Sequence, residues 1–289
     1  MPEAKPALVQ TQEAETPEGQ PADRVEGDAG FLDAFRGHDT PLYDKATSTD
    51  RPTDGSECVD DLVASYTRDG FCVIRPCVPA ELTEALLAKI TGLASRLQDN
   101  RGGGRVCLNS HDNIRDREWL HVLEWLVGEQ SPAAQVMNRI FGDAWWFDVC
   151  GGDVIRGQAG FGRPCLPHSD WKGVRDGMIV MSVFLHDVSS DNAPLMLWSR
   201  SDGRCVTGAG QKGSILLRCV DTIHSGSPNQ VTRDRVLPAF RFFTPAVLRQ
   251  GWTPRGFLTD EDVATLSATL SAKCIFLRMT PDPDESQTQ

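Results

Sequence analysis

The sequence predicts a mainly β protein with flanking helices, its core a double-sheet jelly roll. Three observations carry this expectation. Between Ala144 and Thr244, five short apolar or alternating runs follow one another: AWWFDVCGGDVIRG, GMIVMSVFLHDV, APLMLW, GSILLRC and RVLPAFRFFT. Gly, Pro, Asn and Asp separate them, the rhythm of strands joined by turns in a sandwich or barrel. Ahead of these runs the apolar residues recur at helical spacing, and one more helical segment follows them, so helices support the sheets on one face.

The elements follow in order. SECVDDLVASYTRDG reads as a short helix with a serine cap at Ser56, an apolar face of Val59, Leu62 and Val63, and Gly70 at its end. FCVIRPCV reads as a strand stopped by Pro79. PAELTEALLAKITGLASRLQ opens on that proline and places Leu82, Leu86, Ile90, Leu93 and Leu97 on one helical face. DNRGGGR is a flexible loop, and DREWLHVLEWLVGE and SPAAQVMNRIFG are two further helices. After the strand-rich stretch, TDEDVATLSATLSAK reads as one closing helix capped by Thr259.

Composition sets the limits. The chain has 289 residues, 40% of them apolar, enough for a sizeable core. Its formal charge of −11 is uneven: residues 1–55 hold twelve acidic and five basic side chains, which leaves −4 for the rest. That segment also holds six of the eighteen prolines with almost no apolar clustering, so it is expected to be a disordered acidic arm. One domain is expected over 56–280, with a disordered tail at 281–289. No basic stripe suggests nucleic acid. No apolar run approaches a membrane span, and the N-terminus lacks the basic and apolar regions of a secretory signal. The nine cysteines include no CxxC pair and several lie in apolar runs. Buried thiols in a reducing, cytoplasmic setting are expected. The sequence does not specify an oligomeric state.

The chemistry gathers around RPCLPHSDWKG. His168 and Asp170 are two apart on a segment that reads extended, so their side chains point the same way. A mononuclear iron site that must admit a co-substrate and dioxygen can give only three positions to protein, and a 2-His-1-carboxylate set leaves one face open. A third ligand should then be a distant histidine. His38 lies in the arm, His111 in a polar loop and His121 inside an amphipathic helix. His186 ends a strand and enters a turn. His224 follows the apolar strand GSILLRC and precedes a Ser-Gly-Ser-Pro-Asn turn, which makes it the best candidate. Eleven residues on, Arg235 opens the next strand, where its planar fork would suit a carboxylate.

The stretch from about 68 to 244 resembles the phytanoyl-CoA dioxygenase family of Fe(II)/2-oxoglutarate-dependent oxygenases. RDGFCVIRPCVPAELTEAL is similar to the family's opening strand and helix, LPHSDW to its HxD motif, and VFLHDVSSDNAPLMLW to its strand, acidic turn and Asn-containing strand entry. GSILLRCVDTIHSGSPNQVTRDR is similar to the segment with the distal His, the following Asn229 and the Arg eleven residues on. The resemblance implies a double-stranded β-helix (cupin-like) core, with His168, Asp170 and His224 as catalytic iron ligands. It implies 2-oxoglutarate as co-substrate, its far carboxylate on Arg235 and Ser182 lining its pocket. It also implies a small-molecule substrate, dioxygen, ascorbate as supporting reductant, and hydroxylation of a C–H bond with release of succinate and CO2. An intact Asp170 favours hydroxylation or desaturation over halide transfer. Two departures stand out: WSRSDGR replaces a Pro-Gly-Ser-His stretch, and Gly226 stands where a serine can hold the co-substrate. The competing reading is a cupin-like or degenerate metal-binding protein without turnover, which has no need of Arg235.

Overall fold

A computed structural model of the chain describes residues 58–97, 104–158, 167–171, 176–254 and 256–278. The acidic arm 1–55 with His38, the tail 281–289 and Cys165 lie outside the described residues.

The first helix, α1 (Val59–Asp69), is shorter than expected. Cys58 occupies its N-cap position without a side-chain cap, and Ser56 falls outside the described residues. At its C-terminus Gly70 takes φ +84°, and its N–H donates to Tyr66 O at 2.7 Å. Only glycine takes that left-handed conformation without strain. Strand β1 (Phe71–Ile74) follows, then α2 (Ala80–Ala94), whose Leu86 and Ile90 are fully buried. A three-residue strand, β2 (Arg105–Cys107), emerges where only a loop was expected. Its cross-strand partner Asp153, which also holds Arg105 at 2.6 Å, is far away in sequence. Helices α3 (Arg117–Val127) and α4 (Pro132–Phe141) match their periodicity, capped by the side chains of Asp116 and Ser131.

Seven strands follow among the described residues: β3 (Trp146–Ile155), β4 (Met178–Val183), β5 (Leu195–Trp198), β6 (Cys205–Gly208), β7 (Ile215–Cys219), β8 (His224–Gly226) and β9 (Arg235–Phe243). They form two antiparallel sheets. The larger has the order β1-β7-β4-β9-β3-β2 and the smaller β6-β5-β8. The closing helix is two pieces, α6 (Asp260–Ala264) and α7 (Ala268–Lys273), preceded by a short α5 (Pro245–Leu248). The break comes where the Ser267 side chain accepts from Leu270 N and starts a new cap. Serine competes for backbone donors in this way, and here it overrode the helical periodicity.

Alternation along the strands sorts the core. Ile179, Met181 and Val183 of β4, Ile215 and Leu217 of β7, and Phe240 and Phe242 of β9 face the helices, packing with Leu86, Ile90, Trp119, Leu123 and Met137. Each such buried side chain contributes about 1.5–3 kcal/mol. The opposite face of the large sheet meets the small sheet: Leu216 and Leu237 pack with Leu197 of β5 and Val206 of β6. This is a jelly roll with flanking helices, as expected; the longer helices pack on one side, and Val247 of the short α5 packs with Val180 and Phe243 on the other. Burial pushes the thiols of Cys219 and Cys274 up to about 12, which keeps them inert. Among the described residues, no helix is long and apolar enough to cross a membrane.

Candidate metal and co-substrate site

The HxD segment joins the edge of the small sheet. His168 pairs with His224 as an antiparallel bridge, each backbone N–H donating to the other's carbonyl (2.9 and 2.8 Å). Two residues on, Asp170 N donates to Val220 O at 2.9 Å, just past the end of β7. These main-chain bonds bring three side chains to one point. Asp170 Oδ1 lies 3.7 Å from His168 Nε2 and 3.5 Å from His224 Nε2. All three donor atoms fall within 4.8 Å of one another. Neighbouring donors around a small divalent ion with bonds near 2.1 Å sit about 3 Å apart, so little contraction would close this set on a metal.

The protonation states suit a metal. His224 Nδ1–H donates to Thr222 O at 3.0 Å, which fixes the tautomer and leaves Nε2 as the free donor. Burial, with help from the Arg218 guanidinium, holds the His224 pKa below its usual value, so the ring is neutral. Burial raises the Asp170 carboxyl, but the Arg218 guanidinium beside it outweighs that and holds the group well below the usual carboxylate range. Neutral imidazoles and an ionised carboxylate are the forms a divalent ion binds.

The turn that carries Thr222 is braced from behind. Thr222 Oγ1 donates to Gly70 O at 2.9 Å, and Arg200 Nη2 donates to Asp221 Oδ1 at 2.8 Å and Asp176 Oδ1 at 3.0 Å. Arg200 comes from WSRSDGR, and the same loop anchors to α1 through Ser199 Oγ and Asp69 Oδ1 at 2.8 Å. That departure therefore supports the turn ahead of His224. A β-carbon on Gly70 would lie 2.4 Å from Arg200 Nε and 2.7 Å from Thr222 Oγ1. We expect Gly70→Ala to lower unfolding free energy by about 2 kcal/mol or more, from left-handed strain and overpacking together. Thermal denaturation measures it, and an unchanged midpoint would show that the brace yields at no cost.

Arg235 opens β9 on the face that meets the small sheet, in register with Ile155 and two residues before Leu237. It is 3% exposed, and among the described residues its Nε has no hydrogen-bond partner. Burial pulls its pKa down to about 10, which still leaves it charged at neutral pH. Asp153 acts on it, but that carboxylate is held by Arg105. A buried guanidinium with an unpaired donor is costly unless an anion joins it. Asn229 positions the loop before it, donating to Ile155 O (3.2 Å) and Arg233 O (2.8 Å). Ser182 is buried on the same face, paired with Leu216 and Ala239. Along the sheet, its row lies between that of Arg218, two residues from Leu216, and that of Arg235, four residues from Ala239.

The remaining histidines do other things. His186 is saturated: Nε2 accepts from Val236 N (3.0 Å) and Nδ1 faces Asp187 O (3.0 Å). His111 stacks on Phe257, and His121 lies half-buried on α3. The serines on either side of Gly226 both bond the main chain: Ser225 Oγ donates to Gly226 O at 3.0 Å and Ser227 Oγ to Pro194 O at 2.6 Å. Sequence reasoning missed Arg218, whose Nη2 donates to Asp170 Oδ2 at 2.7 Å. The available signal was a lone charge inside the otherwise apolar run ILLRC.

No family model and no curated protein matches the chain. Solved structures do. The epimerase SnoN, determined with Fe3+, alpha ketoglutarate and nogalamycin RO, superposes with a TM-score of 0.54 at 16% identity, over 64% of this chain and 83% of that one. EctD from S. alaskensis, with bound Fe, gives 0.51 at 17% identity over 69% and 81%. HygX from Streptomyces hygroscopicus, with nickel and 2-oxoglutarate bound, gives 0.51 at 11% identity over 64% and 86%. At such identities the likeness is one of fold, and the fold these structures share with the chain is the jelly roll.

Proposed function

We propose that the chain is an Fe(II)- and 2-oxoglutarate-dependent oxygenase of the phytanoyl-CoA dioxygenase type, hydroxylating a C–H bond of a small molecule. One combination supports the reading: a three-donor cluster at the edge of the small sheet, and a buried Arg235, on the large-sheet face that meets that sheet, whose Nε has no partner among the described residues. A passive metal protein has no use for the second feature. His168, Asp170 and His224 would hold the iron from one side, and Arg235 would bind the far carboxylate of the co-substrate, with Ser182 between them. When bound, the iron supplies the place where co-substrate and dioxygen meet. The protein's part is to fix His224 in its Nε2-donor tautomer and keep Asp170 ionised. Overall, R–H, O2 and 2-oxoglutarate give R–OH, succinate and CO2, one oxygen atom entering the alcohol and the other succinate.

The three neighbours named above are described with iron or nickel, and SnoN and HygX also with alpha ketoglutarate or 2-oxoglutarate, which supports the same cofactors here. Ascorbate would keep the iron ferrous, and a reducing cytoplasmic setting fits. The test is succinate formation by purified protein with Fe(II), ascorbate and 2-oxoglutarate across a metabolite library. No succinate above the metal-free blank would overturn the proposal. SnoN is described as an epimerase, so the product must be identified by mass: a gain of one oxygen supports hydroxylation, and an isomer of unchanged mass replaces it with epimerisation.

A further inference from the structure

All five residues of β7 are buried, and one of them is Arg218, 7% exposed. Alternation assigns it to the inner face, because Ile215, Leu217 and Cys219 pack toward the helices while Leu216 belongs to the cluster between the sheets. Its cross-strand neighbours are Phe71 on β1 and Val180 on β4, neither of which can neutralise it. Burying a guanidinium among apolar neighbours is expensive unless a partner of opposite charge meets it. Among the described residues, the one carboxylate in ion-pair contact with Arg218 is Asp170, at 2.7 Å. Nη1 makes a long contact with Cys219 O at 3.5 Å, and Nε is buried with no partner.

The contact is specific to one oxygen. Nη2 takes Oδ2, while Oδ1 faces the two imidazole nitrogens at 3.5 and 3.7 Å. The same strand end also grips the main chain of Asp170, through Val220 O at 2.9 Å. Backbone and side chain are thus fixed from one element. A carboxylate on a metal binds through one oxygen or chelates through both. A charge-assisted donor on Oδ2 competes directly with chelation.

We propose that Arg218 is a positioning residue that holds Asp170 as a one-oxygen metal ligand, so that the side of the metal facing the interior stays open. This rests on the metal reading above and adds a residue to it. Chelation by Asp170 would take a fourth position, one that the co-substrate or dioxygen needs. Arg218 touches neither metal nor co-substrate in this scheme; it acts through Asp170.

The experiment titrates Mn2+ calorimetrically, without co-substrate, into metal-free wild type, Arg218→Met, Arg218→Lys and His224→Ala, and records visible spectra of the Co2+-loaded proteins. Loss of a group that orients a ligand typically weakens metal binding about 10–100-fold. Asp170 is 41% exposed, so water can take over part of the role and the lower end is expected for Arg218→Met. Its Co2+ spectrum should shift, since intensity and position report coordination number. Arg218→Lys keeps the charge but offers a point donor in place of a fork, and should fall between the two. Mn2+ affinity and Co2+ spectrum both equal to wild type in folded Arg218→Met overturn the proposal. Should that variant not fold, unchanged values in Arg218→Lys overturn it equally. Wild type binding Mn2+ no better than His224→Ala would instead sink the metal reading.

Discussion

Replacing Arg235 with alanine should weaken 2-oxoglutarate binding by about tenfold to over a hundredfold while leaving metal affinity almost unchanged. Each hydrogen bond to a charged group contributes about 1.5–3 kcal/mol, and a fork can make two to one carboxylate. The upper part of that range is expected, because Arg235 is 3% exposed and among the described residues its Nε has no competing partner. It belongs to the large sheet, whereas His168 and His224 pair at the edge of the small one. Removing it should therefore not disturb the three donors. Arg235→Lys should recover only part of the loss. Calorimetric titration of 2-oxoglutarate into the anaerobic Mn2+ complex measures this directly. Equal affinity in wild type and Arg235→Ala would mean that the guanidinium serves the fold and not a ligand.

Replacing Asp170 with alanine should abolish hydroxylation and cost about a hundredfold or more in Mn2+ affinity, since the metal loses its only anionic protein ligand. Full activity in that variant would remove Asp170 from the site. A second effect separates this residue from an ordinary surface carboxylate. Arg218 would be left buried and unpaired, and stranding a buried charge destabilises by about 3–5 kcal/mol. Solvent reaches Asp170, which discounts the figure to about 1–3 kcal/mol. The double variant Asp170→Ala/Arg218→Met should regain much of that stability, because the stranded cation is gone. Thermal denaturation of the three proteins checks it. A double variant less stable than Asp170→Ala would show that Arg218 contributes by packing and not through its partner.

Short, largely apolar runs bounded by turn residues made β3, β4, β7 and β9 readable, because strands buried on both faces need few polar positions. The three-residue strands β2 and β8 were not readable: Arg105–Cys107 and His224–Gly226 are too short for a period to show. The closing helix misled for a different reason. Its apolar spacing continues through Leu266 and Leu270, and only the Ser267 cap divides it.

The candidate site divides in the same way. His168 and Asp170 were legible because two residues on an extended segment share a face wherever that segment goes. The His224-to-Arg235 interval was legible because one loop joins their two strands. Each of these is a local relation, and local relations survive without knowledge of the fold. Arg218 and Asp170 are 48 residues apart in sequence, and Gly70 and Thr222 are 152 apart. No spacing links such pairs. They meet because β1 and β4 both flank β7, and because Val220 O takes the Asp170 N–H. Local pattern thus offered the candidates for metal donors and for an anion site. Long-range pairing alone decided which oxygen of Asp170 faces the histidines and which arginine holds the other.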